Sequence, residues 1–216
     1  MDSSPRYQLL VTAGPHSGGP VPGRFDWHSR LFLLEREGEA VASLRLVLAG
    51  SFWPGAQLPC ELPGGPFALQ ASQQQHAGEF TEPWFSDLSQ GLYLCAMASA
   101  WASAHLPAMA IHAVFEQANR SLDELYTLSF GPATRGSRRC TTAGPLAWTL
   151  FTDDPLTRDA RVRQLLQRPE VAAIHRQLAG IGAHQGPAAA NSRRHGFRRG
   201  TGTGGGTGAR SVAGRP

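Results

Sequence analysis

The chain has 216 residues, with 20 basic side chains, all arginine, and 16 acidic ones. That is enough for one well-buried domain and an appendage, and too little for a second large domain. The lack of lysine excludes mechanisms built on one, from the phosphate-binding P-loop to a Schiff base.

Residues 1–24 are dominated by Gly, Pro, Ser and His around one apolar patch at Leu9–Val11, and the composition predicts an irregular lead-in. Leu31–Leu34 is an apolar run, Glu35–Glu39 is a charged turn with Gly38 in it, and the run resumes over Ala40–Leu48. This pattern predicts a β-hairpin. From Ala49 to Gly78 the chain is rich in Pro, Gly and Gln, which predicts a long loop with at most a short strand near Phe67–Leu69.

The second half carries clearer periodicity. Glu79–Phe85 reads as a strand, after which Ser86 or Asp87 can cap a helix whose apolar face runs Leu88, Leu92, Cys95, Ser99 and Ala102. That helix ends at His105-Leu106-Pro107. Met109–Phe115 then reads as a strand, Asn119–Ser129 as a helix stopped by Phe130-Gly131-Pro132, and Pro145–Phe151 as a further strand. A final amphipathic helix is expected over residues 155–179, interrupted at Pro169. Strand, helix and strand in that order make a right-handed parallel unit beside an antiparallel hairpin, so the expected fold is α+β with a mixed sheet. Residues 25–185 would form this domain.

Residues 186–216 hold six of the arginines and no acid, so the basic balance belongs to this Arg/Gly-rich tail, which is too short of large apolar side chains to offset its ordering entropy. It is expected to be disordered. Cys60, Cys95 and Cys140 are widely spaced and odd in number, which supports neither a disulfide framework nor a zinc site, and no metal is expected. No apolar run follows the first residues as a secretory signal would, and cytoplasm is the expected location. Leu88–Phe115 lacks Asp, Glu and Arg but is broken by Pro107, histidines and serines, so a buried helix and strand are expected there rather than a membrane span.

Several segments in order resemble the N-acyl amino acid synthases, relatives of the acyl-homoserine-lactone synthases within the GNAT-type acyltransferase fold. They are Phe25-Asp26-Trp27-His28-Ser29, Leu31–Leu34, Val41–Leu46, Leu58-Pro59-Cys60-Glu61, Gly78-Glu79-Phe80-Thr81, His112-Ala113, and Leu125–Pro132. The resemblance spans residues 25–154 and rests on order and spacing. Two departures stand out. A Gly/Pro-rich stretch takes the place of the helices that precede the Asp26 motif in the family, and the family's Glu followed three residues later by Arg is here Glu79 followed by Glu82.

The resemblance implies a GNAT-like mixed, mostly antiparallel sheet with a central parallel strand-helix-strand unit. Its two parallel strands, Glu79–Phe85 and Met109–Phe115, would splay apart to hold the pantetheine arm of an acyl thioester, with Phe80, Thr81 and Ser86 on the donor side. The implied reaction moves a fatty acyl group to the amine of an amino acid or similar small molecule. It requires the thioester held, the amine placed and deprotonated, and the oxyanion stabilised, with no cofactor beyond the thioester co-substrate.

Glu79 is the candidate proton acceptor, since a carboxylate beside a cleft can have its pKa raised by burial; an edge-strand surface acid is the alternative. His112 on the facing strand can share the proton or simply be hydrogen-bonded. Arg45 suits a substrate carboxylate or can face solvent, and Asp26 can pair with Arg45 or cap the turn before the hairpin. Tyr126 can donate to the leaving thiolate or, by its spacing with Leu122 and Leu125, pack in the core. Glu116 and Arg120 read as an ion pair at the start of a helix, and Cys60 as a nucleophile lacking a marked partner.

The turn from Phe85 to Gly91 has no basic residue, and Asp87 would occupy the N–H groups that hold a CoA pyrophosphate in a CoA-using relative. Acyl carrier protein is therefore expected as donor in preference to acyl-CoA, meeting Arg135, Arg138 and Arg139 at the cleft mouth, although these can equally decorate a loop. The rival reading is a catalytically degenerate GNAT-like binding module whose tail contacts nucleic acid or another polyanion; elsewhere on the chain no nucleic-acid contact is expected.

Overall fold

A computed structural model describes residues 6–13, 26–49, 57–61, 77–116, 119–141 and 144–184. Seven strands form one mixed sheet: β1 (Tyr7–Ala13), β2 (Ser29–Arg36), β3 (Glu39–Leu48), β4 (Ala77–Phe85), β5 (Ala110–Glu116), β6 (Arg135–Thr141) and β7 (Gly144–Asp153). Their order is β1-β2-β3-β4-β5-β7-β6, and β4 with β5 is the one parallel pair. Among the described residues there are also four α-helices: α1 (Leu88–His105), α2 (Arg120–Phe130), α3 (Pro155–Gln167) and α4 (Pro169–His184). The parallel crossover β4-α1-β5 is thus present beside the β2-β3 hairpin, whose turn places Glu37 and Gly38 at φ 58° and 85°, the left-handed pair that matches strand twist in a two-residue connection.

Two elements depart from expectation. Tyr7–Ala13, expected as irregular, is an edge strand antiparallel to β2, with Tyr7 buried against the helix-side core and Leu9 packed beside it. The Gly/Pro content that suggested a lead-in surrounds this strand without entering it, and Leu9, Leu10 and Val11 favour extended backbone. Arg135–Thr141, to which the sequence pattern assigns no element and whose arginines are expected at the cleft mouth or in a loop, is edge strand β6 in a hairpin with β7.

The expected final helix is two. Pro169 cannot donate to the preceding turn, but it starts a new helix where no donor is needed, and Arg168 lies between α3 and α4 as extended backbone. Helix α1 buries more than the expected face: Gln90 to Ala96, Ala98, Ser99 and Ala102 are all buried. It is enclosed by β2, β3 and β4 on one side and by α2, α3 and α4 on the other, so small and apolar residues surround the whole cylinder. No described helix is long and apolar enough to cross a membrane. The possible strand at Phe67–Leu69 and the tail over residues 186–216 lie outside the described residues.

Alternation along the central strands separates two cores. Phe80, Ile111, Ala113, Phe115 and Phe151 face the helices and join the large cluster with Leu92, Tyr126, Phe130 and Leu165. The opposite face holds a smaller cluster of Val47, Ala49, Leu58, Cys60, Ala77 and Leu150, with Val114 and Trp148 against it. A buried ion pair ties the ends of this region together: Arg158 of α3 bonds the Asp153 carboxylate at the end of β7 and the carbonyl of Met109 just before β5.

Candidate active site

The ladder between the two parallel strands is short. It runs Ala77–Ala110, Gly78–Ile111, Glu79–His112 and Phe80–Ala113 and then stops, although β4 continues to Phe85 and β5 to Glu116. Beyond Phe80 the pairing of β4 with β3 shifts, so that Ser43 opposes Trp84 whereas Arg45 opposes Thr81. Glu82, at φ 50°, lies inside this bulge. A bulge bends its strand and sharpens its twist, and here it coincides with the parting of β4 from β5. The backbone groups on the facing edges past Phe80 and Ala113 are left out of that ladder, which is what an extended amide-bearing ligand needs in order to pair with a sheet edge.

At the point of divergence Glu79 and His112 stand abreast on the face away from the helices. Glu79 is 3% exposed, and its Oε2 accepts the backbone N–H of Cys60 at 2.9 Å. Burial pushes the carboxyl up to about 7; the Cys60 hydrogen bonds oppose that rise and the Glu61 charge adds to it. The Cys60 N–H is aimed by a short turn, Pro59–Glu61, in which the Glu61 N–H meets the Leu58 carbonyl at 3.0 Å while the Leu58 side chain anchors in the smaller core.

His112 is 1% exposed, and burial holds its imidazole down at about 4, so it is neutral at pH 7. Its Nδ1 lies 3.1 Å from Thr152 Oγ1 on β7, its register partner, and its Nε2 has no partner among the described residues.

Beside Glu79 is a cavity of about 240 Å³, lined by Pro59, Cys60, Glu79–Pro83, Val114 and Trp148. Phe80 contributes to this lining, and its ring packs 5.6 Å from that of Phe130 on the helix side. Thr81 brings a buried Oγ1 with no partner among the described residues. Ser86, grouped with them from the sequence, sits apart at the end of β4, where its N–H is engaged by the Val41 carbonyl at 2.9 Å.

Tyr126 is fully buried among Phe115, Phe130 and Phe151. Its hydroxyl has no partner among the described residues, and burial, with lesser contributions from the Cys95 and Glu79 charges, raises its pKa well above the ordinary value. The group remains a proton donor at any physiological pH. The packing expected from its helical spacing and a buried polar handle are both present.

Arg45 does not face solvent: its Nε lies 3.2 Å from Glu82 Oε2, with the arginine side chain 11% exposed and the glutamate 64%. The Glu82 that departs from the family pattern therefore supplies the partner of Arg45. Asp26 begins the short helical turn Asp26–His28; its side chain, like those of Arg135, Arg138, Arg139 and Cys140, lies outside the described residues.

Glu116 and Arg120 line a depression with Asn119, Ser121 and Leu122 and do not form the expected ion pair. Cys60 is no nucleophile: burial, then the charges of Glu79 and Glu61, drive its pKa far up and keep the thiol protonated. Its contribution is the N–H that holds Glu79. Thr152 was missed because the strand pattern was cut off at Phe151; two more residues of alternation would have placed it on the His112 face. Asp87 caps α1, its Oδ1 accepting from the Ser89 N–H at 2.8 Å and from the Ser89 hydroxyl. No group of three metal-ligating side chains occurs among the described residues.

No protein-family model matches the chain, and no curated protein matches it in sequence. Solved structures are similar to it. FeeM, an N-acyl amino acid synthase from uncultured soil microbes, superposes with a TM-score of 0.50 at 11% identity over 73% of this chain and 96% of its own. NAA60 of Arabidopsis thaliana, in complex with a bisubstrate analogue, gives 0.43 at 9% identity over 67% and 97% of the two chains. A GNAT-family acetyltransferase of Streptococcus pneumoniae gives 0.40 at 12% over 59% and 68%. The architecture is the α+β GNAT type, with a mixed, mostly antiparallel sheet around one parallel strand-helix-strand unit among the described residues.

Proposed function

We propose that the protein is an N-acyltransferase that moves an acyl group from a pantetheine thioester to the amine of an amino acid or similar small molecule. The observation that carries this reading is the parting of β4 from β5 directly after Glu79 and His112, which sets the buried Glu79 carboxyl beside open strand edges and a cavity, with the His112 imidazole abreast of it on the next strand. Similarity of fold to an N-acyl amino acid synthase supports it.

In this reading the pantetheine arm pairs with the open edges past Phe80 and Ala113, Thr81 among them. The amine attacks the thioester carbonyl, and its proton passes to Glu79, whose pKa near 7 suits a base at neutral pH. Tyr126 gives its hydroxyl proton to the departing thiolate. Asp26 and the Arg45–Glu82 pair flank the acceptor side. Asp87 occupies the N-terminus of α1, where a second anion would be repelled, so acyl carrier protein, whose pantetheine arm comes without the CoA pyrophosphate, is the donor ahead of free acyl-CoA, in a cytoplasmic reaction. Arg135, Arg138 and Arg139 on β6 would meet this acidic partner.

The test is amide formation by the purified chain from acyl carrier protein and from acyl-CoA at matched concentration, with amino acids as acceptors. Faster transfer from the carrier protein is expected, and Glu79→Gln should lower turnover by on the order of a hundredfold. No amide from either donor would overturn the reading; faster use of acyl-CoA would overturn the donor assignment.

A further inference from the structure

The cavity beside Glu79 is walled mainly by apolar side chains drawn from separate parts of the fold. Pro59 comes from the turn that holds Glu79, Pro83 from β4 past its bulge, and Val114 and Trp148 from β5 and β7. The charged side chains in this lining are both acids, Glu79 and Glu82, and no basic side chain joins them among the described residues. Residues 50–56 and 62–76, on either side of the turn in sequence, contain neither arginine nor lysine.

The two acids are not equivalent. Glu82 is 64% exposed and lies 3.2 Å from Arg45 Nε, so a cation of the protein already answers its charge. Glu79 is buried, and the donors that reach it are the N–H and thiol of Cys60. A carboxylate offers about four lone-pair sites, so Glu79 keeps accepting capacity for a donor placed in the cavity. Size narrows the occupant further. A volume of about 240 Å³ falls below the roughly 300–1,000 Å³ of pockets that take drug-sized ligands, which suits one ring on a short linker better than a long acyl chain.

We infer that this cavity is the acceptor subsite and that it selects a primary amine on a compact apolar body with no free carboxylate, such as an arylalkylamine or an amino acid whose carboxyl is masked as an amide. This rests on the acyl-transfer reading and narrows its acceptor. The amine N–H groups donate to Glu79 while the body packs against Val114, Trp148 and the two prolines. A carboxylate on the carbon next to the nitrogen would be carried to within on the order of 5 Å of the Glu79 oxygens. Two like charges that close in a partly dry site are poorly screened. The acid that recognises the amine thus also disfavours a free amino acid, a repulsive element of the kind that specificity needs.

The test compares L-phenylalanine, L-phenylalaninamide and phenethylamine, one phenyl body with and without the carboxylate, on the full-length protein at about pH 8, where Glu79 is ionised. Each is offered as acceptor with an acyl carrier protein thioester, and its binding is measured separately by calorimetry without a donor. The amide and phenethylamine should each exceed phenylalanine in kcat/KM and in affinity by about tenfold or more. Glu79→Gln should weaken phenethylamine binding by about tenfold or more, as loss of a charge-assisted hydrogen bond does. Val114→Phe, which fills the cavity from β5, should raise KM for phenethylamine by about tenfold or more while ethylamine, with no body to seat, is used as before. Phenylalanine bound and used as well as its amide would overturn the inference. So would Val114→Phe raising KM for the acyl donor and sparing phenethylamine, which would make the cavity the acyl-chain site. The wild-type ranking decides the first point even if a variant fails to fold. Amines that bind in the expected order and are never acylated would instead refute the acyltransferase reading and leave the amine subsite intact.

Discussion

Replacing Glu79 by Gln should change how stability depends on pH, in a direction and over a range that the structure defines. The native carboxyl titrates near 7 against an ordinary 4.5 because it is buried. Between those values the native state keeps a proton that the unfolded state has lost. Stability therefore falls as pH rises, by about 1.4 kcal/mol per pH unit, or about 3 kcal/mol in all, most of it present below pH 4.5 and gone above pH 8. Gln mimics the protonated form and can still accept the Cys60 N–H.

His112 acts with the opposite sign. Its native imidazole titrates near 4 against an ordinary 6.5, so the unfolded state binds the extra proton, and the stability the group contributes is present above 6.5 and lost as pH falls toward 4. From about pH 4.5 to 6.5 the two slopes cancel in the wild type. Glu79→Gln should expose the rising histidine limb. The assay is urea unfolding of both proteins at half-unit steps from pH 4.5 to 8.5, plotted as variant minus wild type so that every other group drops out. The difference should grow in favour of Gln by about 3 kcal/mol across the range. A flat difference would refute the buried-carboxylate reasoning, and a falling one would mean that Glu79 is held ionised.

Tyr126→Phe should lower turnover while leaving the fold as stable as before or more stable by on the order of 1 kcal/mol, since the hydroxyl it removes is buried without a partner; chemical denaturation alongside the kinetics separates the two effects. Arg158→Ala should cost roughly 3–5 kcal/mol in the same denaturation experiment, because Asp153 would be left as an uncompensated buried charge. Asp87→Ser keeps a capping oxygen for the Ser89 N–H but removes the charge, so stability should change by less than about 1 kcal/mol while transfer from acyl-CoA improves relative to transfer from the carrier protein. Unchanged donor preference would show that Asp87 does not discriminate.

The sheet was legible wherever periodicity and punctuation coincided. Asp87 before an uncharged run marks α1, Asn119 and Gly131 bracket α2, and Glu37-Gly38 closes the hairpin, each by a local mechanism that sequence records directly. The edge strands escaped for want of alternation: β1 is mostly exposed, and the sequence of β6 is rich in arginine, so neither shows the pattern that reveals a strand. In the site, Glu79 and His112 could be placed together because a parallel crossover sets register between neighbouring strands. Their partners could not. The Cys60 N–H and the Arg45–Glu82 contact depend on a connection and a bulge whose course no residue pattern specifies.

The clamp on Glu79 is a main-chain donor. Any residue but proline at position 60 presents the same N–H, and the edges past Phe80 and Ala113 offer only peptide groups. A centre assembled this way leaves a faint imprint on the chain, in a region whose other demands are volume and strand propensity. Such a centre lets one architecture go with very different sequences: no family model matches this chain, yet one solved structure superposes on it with about one residue in nine identical.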